Sequence, residues 1–393
     1  MKRYSMSIPR TAAAGALAGM LALTGCSSDT SAATGPSSGK PNQNSAAAVA
    51  AATAAVESAV KGIGGPVPTT GPPAAAGKKV WVISAFEQVP NLSSLTRQAR
   101  EAGKELGWKT SVCDGRNNAN GAWAGCVRQA VAAKADGIVL ESVDCAPVKA
   151  ALGEAKQAGI KIVGLTAFDC DDPTQGGGKA MFDASASFVS SVPSTAEFFR
   201  QQGKLRADWL IAKSQGKAKV LHVAFRGVAL GEYLAEGFEK EMATCSGCTV
   251  AGTVDITPQD VPQIRQKFES ALTKLPQVDA VAVDVDFMAT AGIQAALVSA
   301  NRPGLSVAGG ECSLDSLGYV REGKGVQMCI GSSLGRQAYA AVDALNRVFA
   351  HAAPAPSGLG WQVVTRDDNL PKAGEGYEDP TEYRAGFRAL WKS

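Results

Sequence analysis

Short apolar runs rich in β-branched residues alternate along this chain with segments in which apolar residues recur every three or four positions. The first run covers 80–84, and it is followed by Leu92, Leu95, Ala99, Ala102 and Leu106 and then by Gly107. Such a run predicts a buried strand, and the spaced residues predict an amphipathic helix that the glycine ends. The alternation continues through strands predicted at 109–112, 137–140 and 160–165. Strands this apolar, joined by helices, indicate a parallel sheet covered on both faces.

A second series of the same kind begins near Leu205. Strands are predicted at 219–223, 250–254, 280–283, 306–308 and 326–330, with helices between the first four. A last amphipathic helix is predicted from Leu334 to Val348. The pattern therefore predicts two α/β lobes. Ligands of open α/β sheets bind beyond the carboxyl ends of the strands, so we expect a ligand in the cleft between the lobes.

The first residues are expected to be an export signal. Lys2, Arg3 and Arg10 precede an apolar stretch, 11–23, that is too short to span a bilayer. The four residues that end in Cys26 are Leu-Thr-Gly-Cys, and this sequence resembles the signal of bacterial lipoproteins. The resemblance implies that residues 1–25 are removed and that a lipid is attached to Cys26. The alternative is an ordinary export signal with a chance cysteine.

Residues 26–77 consist mostly of Ala, Ser, Thr, Gly and Pro. Only Asp29, Lys40, Glu57 and Lys61 are charged in this stretch. A segment of this composition cannot bury a core, so we expect a disordered tether with transient helix over 45–60. The folded part is expected to begin near Lys78.

Composition narrows the class of protein. The chain has 393 residues, 45% hydrophobic and 19% charged, with 39 basic and 36 acidic residues and a net charge of +3. This mixture excludes a collagen-like or wholly disordered chain, and it leaves no basic stripe for a nucleic acid. Only two histidines, His222 and His351, are present, so we expect no metal centre and no cofactor.

Eight cysteines besides Cys26 are an even number, which in an exported protein indicates disulfides. The predicted strands narrow the 105 possible pairings. Cys145 and Cys170 follow neighbouring strands, and Cys312 and Cys329 lie at neighbouring strands as well. Cys113 ends a strand thirteen residues before Cys126, at the start of the next helix. These positions leave a local bridge between Cys245 and Cys248.

Cys245 and Cys248 have the Cys-x-x-Cys spacing of a thioredoxin-like redox pair. Such a pair lies at a helix N-terminus, where the helix dipole lowers the thiol pKa. Here the two cysteines follow a predicted helix and precede a strand. We therefore expect a structural bridge, and neither a redox pair nor a zinc site.

Five local segments together resemble the type I periplasmic binding proteins, in particular the ribose-type sugar-binding branch of ABC importers. They are VWVISAFEQVPNLSSLTRQAREAGKELGW, KADGIVLESVD, AKQAGIKIVGL, EGFEKEM, and VDAVAVDVDFMATAGIQAAL followed by LSVAGGE. The resemblance covers nearly all of 79–365. It implies an α/β fold of two Rossmann-like lobes with parallel sheets, joined by a three-segment hinge.

The resemblance also implies domain boundaries. The N-terminal lobe would comprise 79–193 and 332–353, and the C-terminal lobe 194–331 and 354–378. The remaining tail, 379–393, is predicted to form a helix with Tyr383, Phe387 and Trp391 on one face. This aromatic face is expected to be a packed cap, with a docking site for another protein as the alternative.

Ten residues fall at cleft positions of the family or beside them. They are Phe86, Gln88, Asn91, Thr166, Phe168, Glu232, Tyr233, Asp284, Asp286 and Glu311. The Asp-Arg pair of the sugar binders is missing, since Thr166 and Ala167 stand in its place. The second-lobe arginine position is Glu232. The cleft is therefore expected to be rich in acids and to have lost its arginines, with Arg226 as a compensating cation or as solvated surface.

Glu311 is the strongest candidate, because it ends a strand at the cleft and its carboxylate could hold two hydroxyls or a cation. For Asp284 and Asp286 the alternative is that one of them caps the helix near Phe287. Phe86, Phe168, Phe225 and Tyr233 could form a stacking wall, or they could belong to the core.

The leading hypothesis is a monomeric solute-binding lipoprotein on the outer face of the cytoplasmic membrane. It would capture a small polar ligand and deliver it to an ABC-transporter permease without catalysis. The alternative is a sensor of the same fold that docks on a membrane receptor. An enzyme is disfavoured, because His222 inside a predicted strand offers no nucleophile and base within reach.

Overall fold

The computed structural model describes residues 43–392. The expected signal peptide and the expected lipidation of Cys26 lie outside these residues. Within them, no helix has both the length and the apolar character needed to cross a bilayer. Two α/β lobes form the molecule, and the predicted fold class is confirmed.

The first lobe contains a five-stranded parallel sheet in the order β2-β1-β3-β4-β5. Its strands are β1 (Lys79–Ser84), β2 (Lys109–Asp114), β3 (Gly137–Glu141), β4 (Lys161–Leu165) and β5 (Ala184–Ser185). Its helices are α2 (Pro90–Glu105), α3 (Ala122–Ala132), α4 (Cys145–Gln157) and, from late in the chain, α11 (Leu334–Phe349). Every residue of β3 is buried, as expected for a strand covered on both faces. The pattern did not predict β5, which has only two residues.

The second lobe contains a six-stranded sheet in the order β11-β10-β9-β8-β6-β7, in which only β11 is antiparallel. Its strands are β6 (Lys219–Phe225), β7 (Thr249–Ile256), β8 (Ala280–Val283), β9 (Ser306–Ala308), β10 (Met328–Gly331) and β11 (Gln362–Thr365). Its helices are α5 (Thr195–Lys213), α6 (Ala229–Met242), α7 (Ile264–Lys274), α8 (Asp286–Met288), α9 (Gln294–Ala300) and α10 (Leu314–Glu322).

The expected disordered tether is wrong for the described part of the arm, 43–77. Residues Gln43–Lys61 form helix α1, which packs on α5 and β11 with Ala52 and Ala59 buried. Beyond it the chain has little regular structure, but it contacts both lobes: Ile63 pairs with Trp361, and Ala74 N donates to Trp391 O. Composition did not predict the order of this arm because the arm forms no core of its own. Its small residues instead pack closely against a surface formed by α5 and β11, which are distant in sequence.

The C-terminal helix α12 (Tyr383–Lys392) packs on α11, and its aromatic face is buried as a cap. The rings of Tyr339 and Trp391 stack with their centroids 5.7 Å apart. The indole Nε1 of Trp391 donates to Asp343 Oδ1 at 2.9 Å. The aromatic spacing therefore marks a packed face, and the alternative of a free docking face is wrong.

The four disulfides are the predicted pairs, three at the predicted strands and one local bridge. They are Cys113–Cys126, Cys145–Cys170, Cys245–Cys248 and Cys312–Cys329. The Cys312–Cys329 bridge ties the loop after β9 to strand β10, directly beside Glu311.

Five segments of the described chain pass between the lobes, where the resemblance implied three. Three of them are 186–194, 332–333 and 350–361. The arm adds a fourth, since α1 lies on the second lobe and β1 in the first. The fifth is 366–382, which connects β11 to α12 on the first lobe.

Candidate functional site

A cavity of about 90 Å³ lies between the lobes, at the carboxyl ends of their strands. Four of the ten predicted site residues line it: Asn91, Thr166, Asp284 and Glu311. The other lining residues are Leu92, Leu95, Ser142, Phe198, Phe199, Gln202, Arg206, Leu230, Leu234, Val285, Ser332, Leu334 and Gln337. Both lobes contribute, so a molecule held here would contact both at once.

Glu311 follows β9 and has only one oxygen fully engaged by the protein. Its Oε2 accepts from the backbone N–H of Asp286 at 2.9 Å, and its Oε1 is 3.5 Å from Asn91 Nδ2 of the other lobe. Burial, and secondarily the charge of Asp286, raises the pKa of Glu311 to about 7. This carboxyl group can therefore change its charge near neutral pH.

Asp286 does not face the cavity as a predicted ligand would. Its Oδ1 accepts from Gly310 N at 2.9 Å, and its Oδ2 accepts from Ser313 N at 2.5 Å. Val285 is the N-cap residue of α8, and no side chain caps this helix. The capping alternative is therefore wrong for Asp284 and Asp286, and Asp286 instead holds the loop that presents Glu311.

Asp284 lines the cavity with both oxygens already engaged. Its Oδ1 lies 2.9 Å from Nε2 of the buried His222, and its Oδ2 accepts from Phe225 N at 3.0 Å. His222 lies in β6 and its ring packs against Phe238. The pair fastens β6 to the end of β8, a structural use for one of the two histidines.

Arg206 is the residue that the sequence analysis missed. It lies on α5, is fully buried, and donates from Nε to Gly309 O at 2.8 Å, while its Nη1 has no hydrogen-bond partner in the described chain. Burial lowers the pKa of its guanidinium, against the raising effect of Asp284 and Glu311. The expectation that the cleft has lost its arginines is thus wrong.

The helical pattern hid Arg206, because α5 is buried on nearly all sides from Gln202 to Ile211. A helix without a polar face does not reveal which side its residues point to. The sequence around it gave no signal either, since Arg206 stands between Lys204 and Asp208 in a charged segment typical of a solvated helix. Gln202, one turn earlier, also lines the cavity.

The first lobe offers uncharged groups to the cavity. Ser142 and Thr166 follow β3 and β4 with φ of 53° and 52°, a backbone region that is uncommon for a β-branched residue such as threonine. Their hydroxyls lie 2.9 Å apart, and Ser142 Oγ also donates to Glu141 Oε1 at 2.8 Å. Burial raises the pKa of Glu141, behind this pair, to about 8.

Phe168 and Tyr233 join the lobes outside the cavity. Their ring centroids are 5.3 Å apart, and Tyr233 Oη donates to Asp172 Oδ1 of the first lobe at 2.7 Å. Burial, and then the bond to Asp172, raises the pKa of Tyr233 to about 12. These two predicted stacking residues therefore form a contact between the lobes, and neither of them lines the cavity. Phe225, a third, packs edge-to-face against Phe287 and does not line the cavity either.

Three further predicted residues also lie off the cavity. Glu232 is 42% exposed and pairs with Arg226 at 3.1 Å. Arg226 pairs with Glu239 and Asp255 as well, so it is a surface cation with three partners. Phe86 is half-buried and Gln88 is exposed, and neither lines the cavity.

Two wider grooves flank the cavity. One of about 600 Å³ lies beside the crossings at 186–194 and 350–361, and one of about 430 Å³ is lined by Asn91, Glu311 and Tyr377 among others. In residues 43–392, the one cluster with metal-ligand types is Cys145, Asp169 and Cys170. Its cysteines form a disulfide and Asp169 accepts from backbone N–H groups, so this cluster has no thiolate to offer a metal.

Residues 80–352 match the sequence model of the periplasmic binding protein domain. An ABC transporter periplasmic solute-binding protein of Actinobacillus succinogenes 130z with bound D-allose has a TM-score of 0.62 and 21% identity, covering 74% of this chain and 98% of that one. No curated protein matches significantly.

Two more solved structures share the fold. The binding protein of the arabinose ABC transporter from Shewanella sp. ANA-3, bound to L-arabinofuranose, has a TM-score of 0.61 and 18% identity over 79% of this chain and 95% of that one. A solute-binding protein of Mycobacterium smegmatis with bound glycerol has a TM-score of 0.60 and 18% identity over 77% of this chain and 99% of that one.

Proposed function

Because the chain belongs to the periplasmic binding protein family, we propose that it captures a small hydroxylated molecule between its lobes and presents it to an ABC-transporter permease. The cavity shared by the two lobes carries this proposal. A ligand that contacts both lobes stabilises the closed form, which is the form a permease can recognise.

The free polar groups of the cavity suit hydroxyl groups. Arg206 Nη1 is a buried donor without a partner, and Glu311 Oε1 is an acceptor with only a long contact to Asn91. A hydroxyl group both accepts and donates, so it can satisfy the two together. The allose, arabinofuranose and glycerol bound by structures of the same fold belong to this chemical class.

A binding screen tests this function. We expect residues 27–393 to be stabilised by one or more sugars or polyols, and not by amines or aromatic acids at the same concentration. A ligand at 100 times its Kd raises the free energy of unfolding by about 2.7 kcal/mol, which thermal unfolding detects. Stabilisation by amines or aromatic acids alone would contradict the proposal.

The family and the N-terminal sequence support a place of action for the protein. Proteins of this family act outside the cytoplasm, and we propose that a lipid on Cys26 holds this one at the outer face of the cytoplasmic membrane. Cys26→Ala should move the protein from the membrane fraction to the soluble fraction, since the acyl chains provide the anchoring. Membrane retention of the variant would rule out the lipid anchor.

The partner is tested separately. Cross-linking in membranes, with the identified ligand present, should capture the permease of an ABC importer. Capture of a signalling receptor instead would identify the protein as a sensor that uses the same ligand site.

A further inference from the structure

One edge of the second lobe's sheet lies opposite the cavity and is rich in lysine. Strands β6 to β10 are parallel, so the segments before them meet at their amino edge, whereas the cavity lies at their carboxyl ends. These segments with their flanking residues are 213–219, 240–250, 274–280, 298–306 and 322–328, here called the basic edge. A partner that contacts the basic edge therefore leaves the cavity unobstructed.

Positive charge predominates at the basic edge. Its basic residues are Lys213, Lys217, Lys219, Lys240, Lys274, Arg302 and Lys324, and its acidic residues are Glu241, Asp279 and Glu322. Each of these lysines is exposed, and none of them forms an ion pair within residues 43–392. At the opposite edge of the same sheet acidic residues predominate, among them Asp255, Asp284 and Glu311. The basic edge therefore fits an anionic partner.

Apolar side chains are exposed among these lysines. Two of the four large hydrophobic residues that the described chain exposes lie at the basic edge: Val250 is 38% exposed and Val298 is 50% exposed. A groove of about 330 Å³ is lined by Val298 together with Pro303, Arg302 and Lys324. Basic residues around apolar side chains suit an anionic bilayer surface, because the cations attract phosphate groups and the apolar groups enter the headgroup layer.

The arm enters the described part of the chain at the same edge. Ser45, in the first turn of α1, lies against Gly216 and Gly247, and Val49 also lies against Gly216. Both glycines belong to the basic edge. Residues 27–42 connect Cys26 to α1, and they span at most about 55 Å even when fully extended. A lipid on Cys26 would hold the basic edge within this distance of the bilayer.

From the charge, the exposed valines and the position of α1 we infer that the basic edge is a membrane-contact surface, which binds the phosphate groups of anionic phospholipids. This inference rests on the lipid anchor proposed above and gives the anchored protein one orientation. The corresponding edge of the first lobe also has exposed lysines, Lys104 and Lys109 among them. It has no exposed large hydrophobic residue, and α1 packs on the second lobe.

Vesicle flotation tests the inference with residues 27–393, which include every described residue but not Cys26, the expected site of lipid attachment. Vesicles of phosphatidylcholine with about 30% phosphatidylglycerol should bind this chain at about 0.05 M NaCl and release it at about 1 M, because salt screens exposed charges. Pure phosphatidylcholine vesicles should bind it at least tenfold more weakly. Equal binding to both kinds of vesicle, or binding to neither, would overturn the inference and leave the proposed ligand capture intact.

Charge reversal tests which surface binds the vesicles. The double variant Lys217→Glu and Lys219→Glu should lower the partition coefficient on the anionic vesicles at least tenfold, since each lysine near the surface adds to the attraction. The matched control is Lys104→Glu with Lys109→Glu, because Lys109 begins β2 as Lys219 begins β6 and all four lysines are exposed. The control should lower the coefficient about threefold or less. An equal loss in both variants would show that net charge alone drives binding, and would overturn the assignment of the basic edge.

Discussion

The two carboxylate oxygens of Glu311 have different roles, one structural and one available for a ligand. Oε2 accepts a hydrogen bond from the backbone N–H of Asp286. The carboxylate of Asp286 in turn holds the loop that carries Glu311. Oε1 faces Asn91 at 3.5 Å, too long for a strong hydrogen bond. The structural role therefore needs only one acceptor, which a glutamine also provides, whereas the second oxygen and the charge remain for a ligand.

Glu311→Gln should weaken ligand binding about tenfold or more, because a hydrogen bond to a charged group contributes about 1.5 to 3 kcal/mol. With a pKa of about 7, the unaltered protein should bind more tightly as the pH rises from about 6 to about 8, since ionisation makes the carboxylate a stronger acceptor. The variant should bind independently of pH in this range. Calorimetry at several pH values measures both effects.

Stability should respond to the same titration in the opposite direction. The folded protein holds the Glu311 proton more tightly than the unfolded chain does, so the free energy of unfolding should fall as the pH rises from about 4.5 to about 7. Glu311→Gln should lose this contribution. A variant that binds ligand like the unaltered protein, or that is markedly destabilised at every pH, would place Glu311 in the scaffold.

Among the elements, α1 departs most from its sequence-based description. An alanine-rich helix has a favourable propensity but little apolar area, so alone it would be marginal in water. Contact with α5 and β11 gives it an apolar partner, and Ala52 is fully buried there. The small side chain permits close approach, which is the property that a large or charged residue would remove.

Ala52→Glu should displace α1 and lower the free energy of unfolding by roughly 1 to 3 kcal/mol, through overpacking and a buried charge. Limited proteolysis should then cut within 43–77, where the unaltered protein resists. Ala51→Glu is the matched control on the exposed side of the same helix and should remain resistant. Equal resistance of the two variants would contradict the docked position of α1.

At the scale of the whole molecule, Arg336 connects the segments that cross between the lobes. It is fully buried at the start of α11. Its Nη2 donates to Gly65 O of the arm at 2.6 Å and to Ser357 O at 2.8 Å, and its Nη1 donates to Asp379 Oδ2 at 2.8 Å and to Thr381 Oγ1 at 3.0 Å. One guanidinium group thus binds three of the segments that pass between the lobes: the arm, 350–361 and 366–382. It lies next to a fourth, 332–333.

Arg336→Met should lower the free energy of unfolding by about 3 to 5 kcal/mol, because it leaves carbonyls and a carboxylate without their partner. It should also let the ligand-free lobes separate, which small-angle scattering would measure as a larger radius of gyration. Arg384→Met is the control, since its pair with Glu378 is partly exposed and contributes about 1 kcal/mol or less.

If Arg336→Met does not fold, Asp379→Asn weakens the same network more gently and gives the same readouts. An unchanged radius of gyration in a folded variant would show that the crossings restrain the lobes without Arg336.

Local patterns predicted most of the features that depend on residues close together in the chain. The alternation of strands and helices followed from apolar spacing, and the pairing of Cys145 with Cys170 followed from where adjacent parallel strands end. Glu311 could be placed at the cavity from the family resemblance together with its position at a strand end, since strand ends of a parallel sheet lie at one edge. In each case the spacing of residues along the chain already determines their spacing in the molecule.

Only the tertiary structure decided which contacts form between elements that are far apart in the sequence. Arg206 enters the cavity from a helix buried on nearly all sides, so its direction is set by how α5 lies between the sheet and α6. Phe168 and Tyr233 contact each other because the lobes approach, and the arm is ordered by Trp361 and Arg336, hundreds of residues away. Such contacts leave no periodic signal, since each partner is chosen by the packing of whole elements and not by its neighbours in sequence.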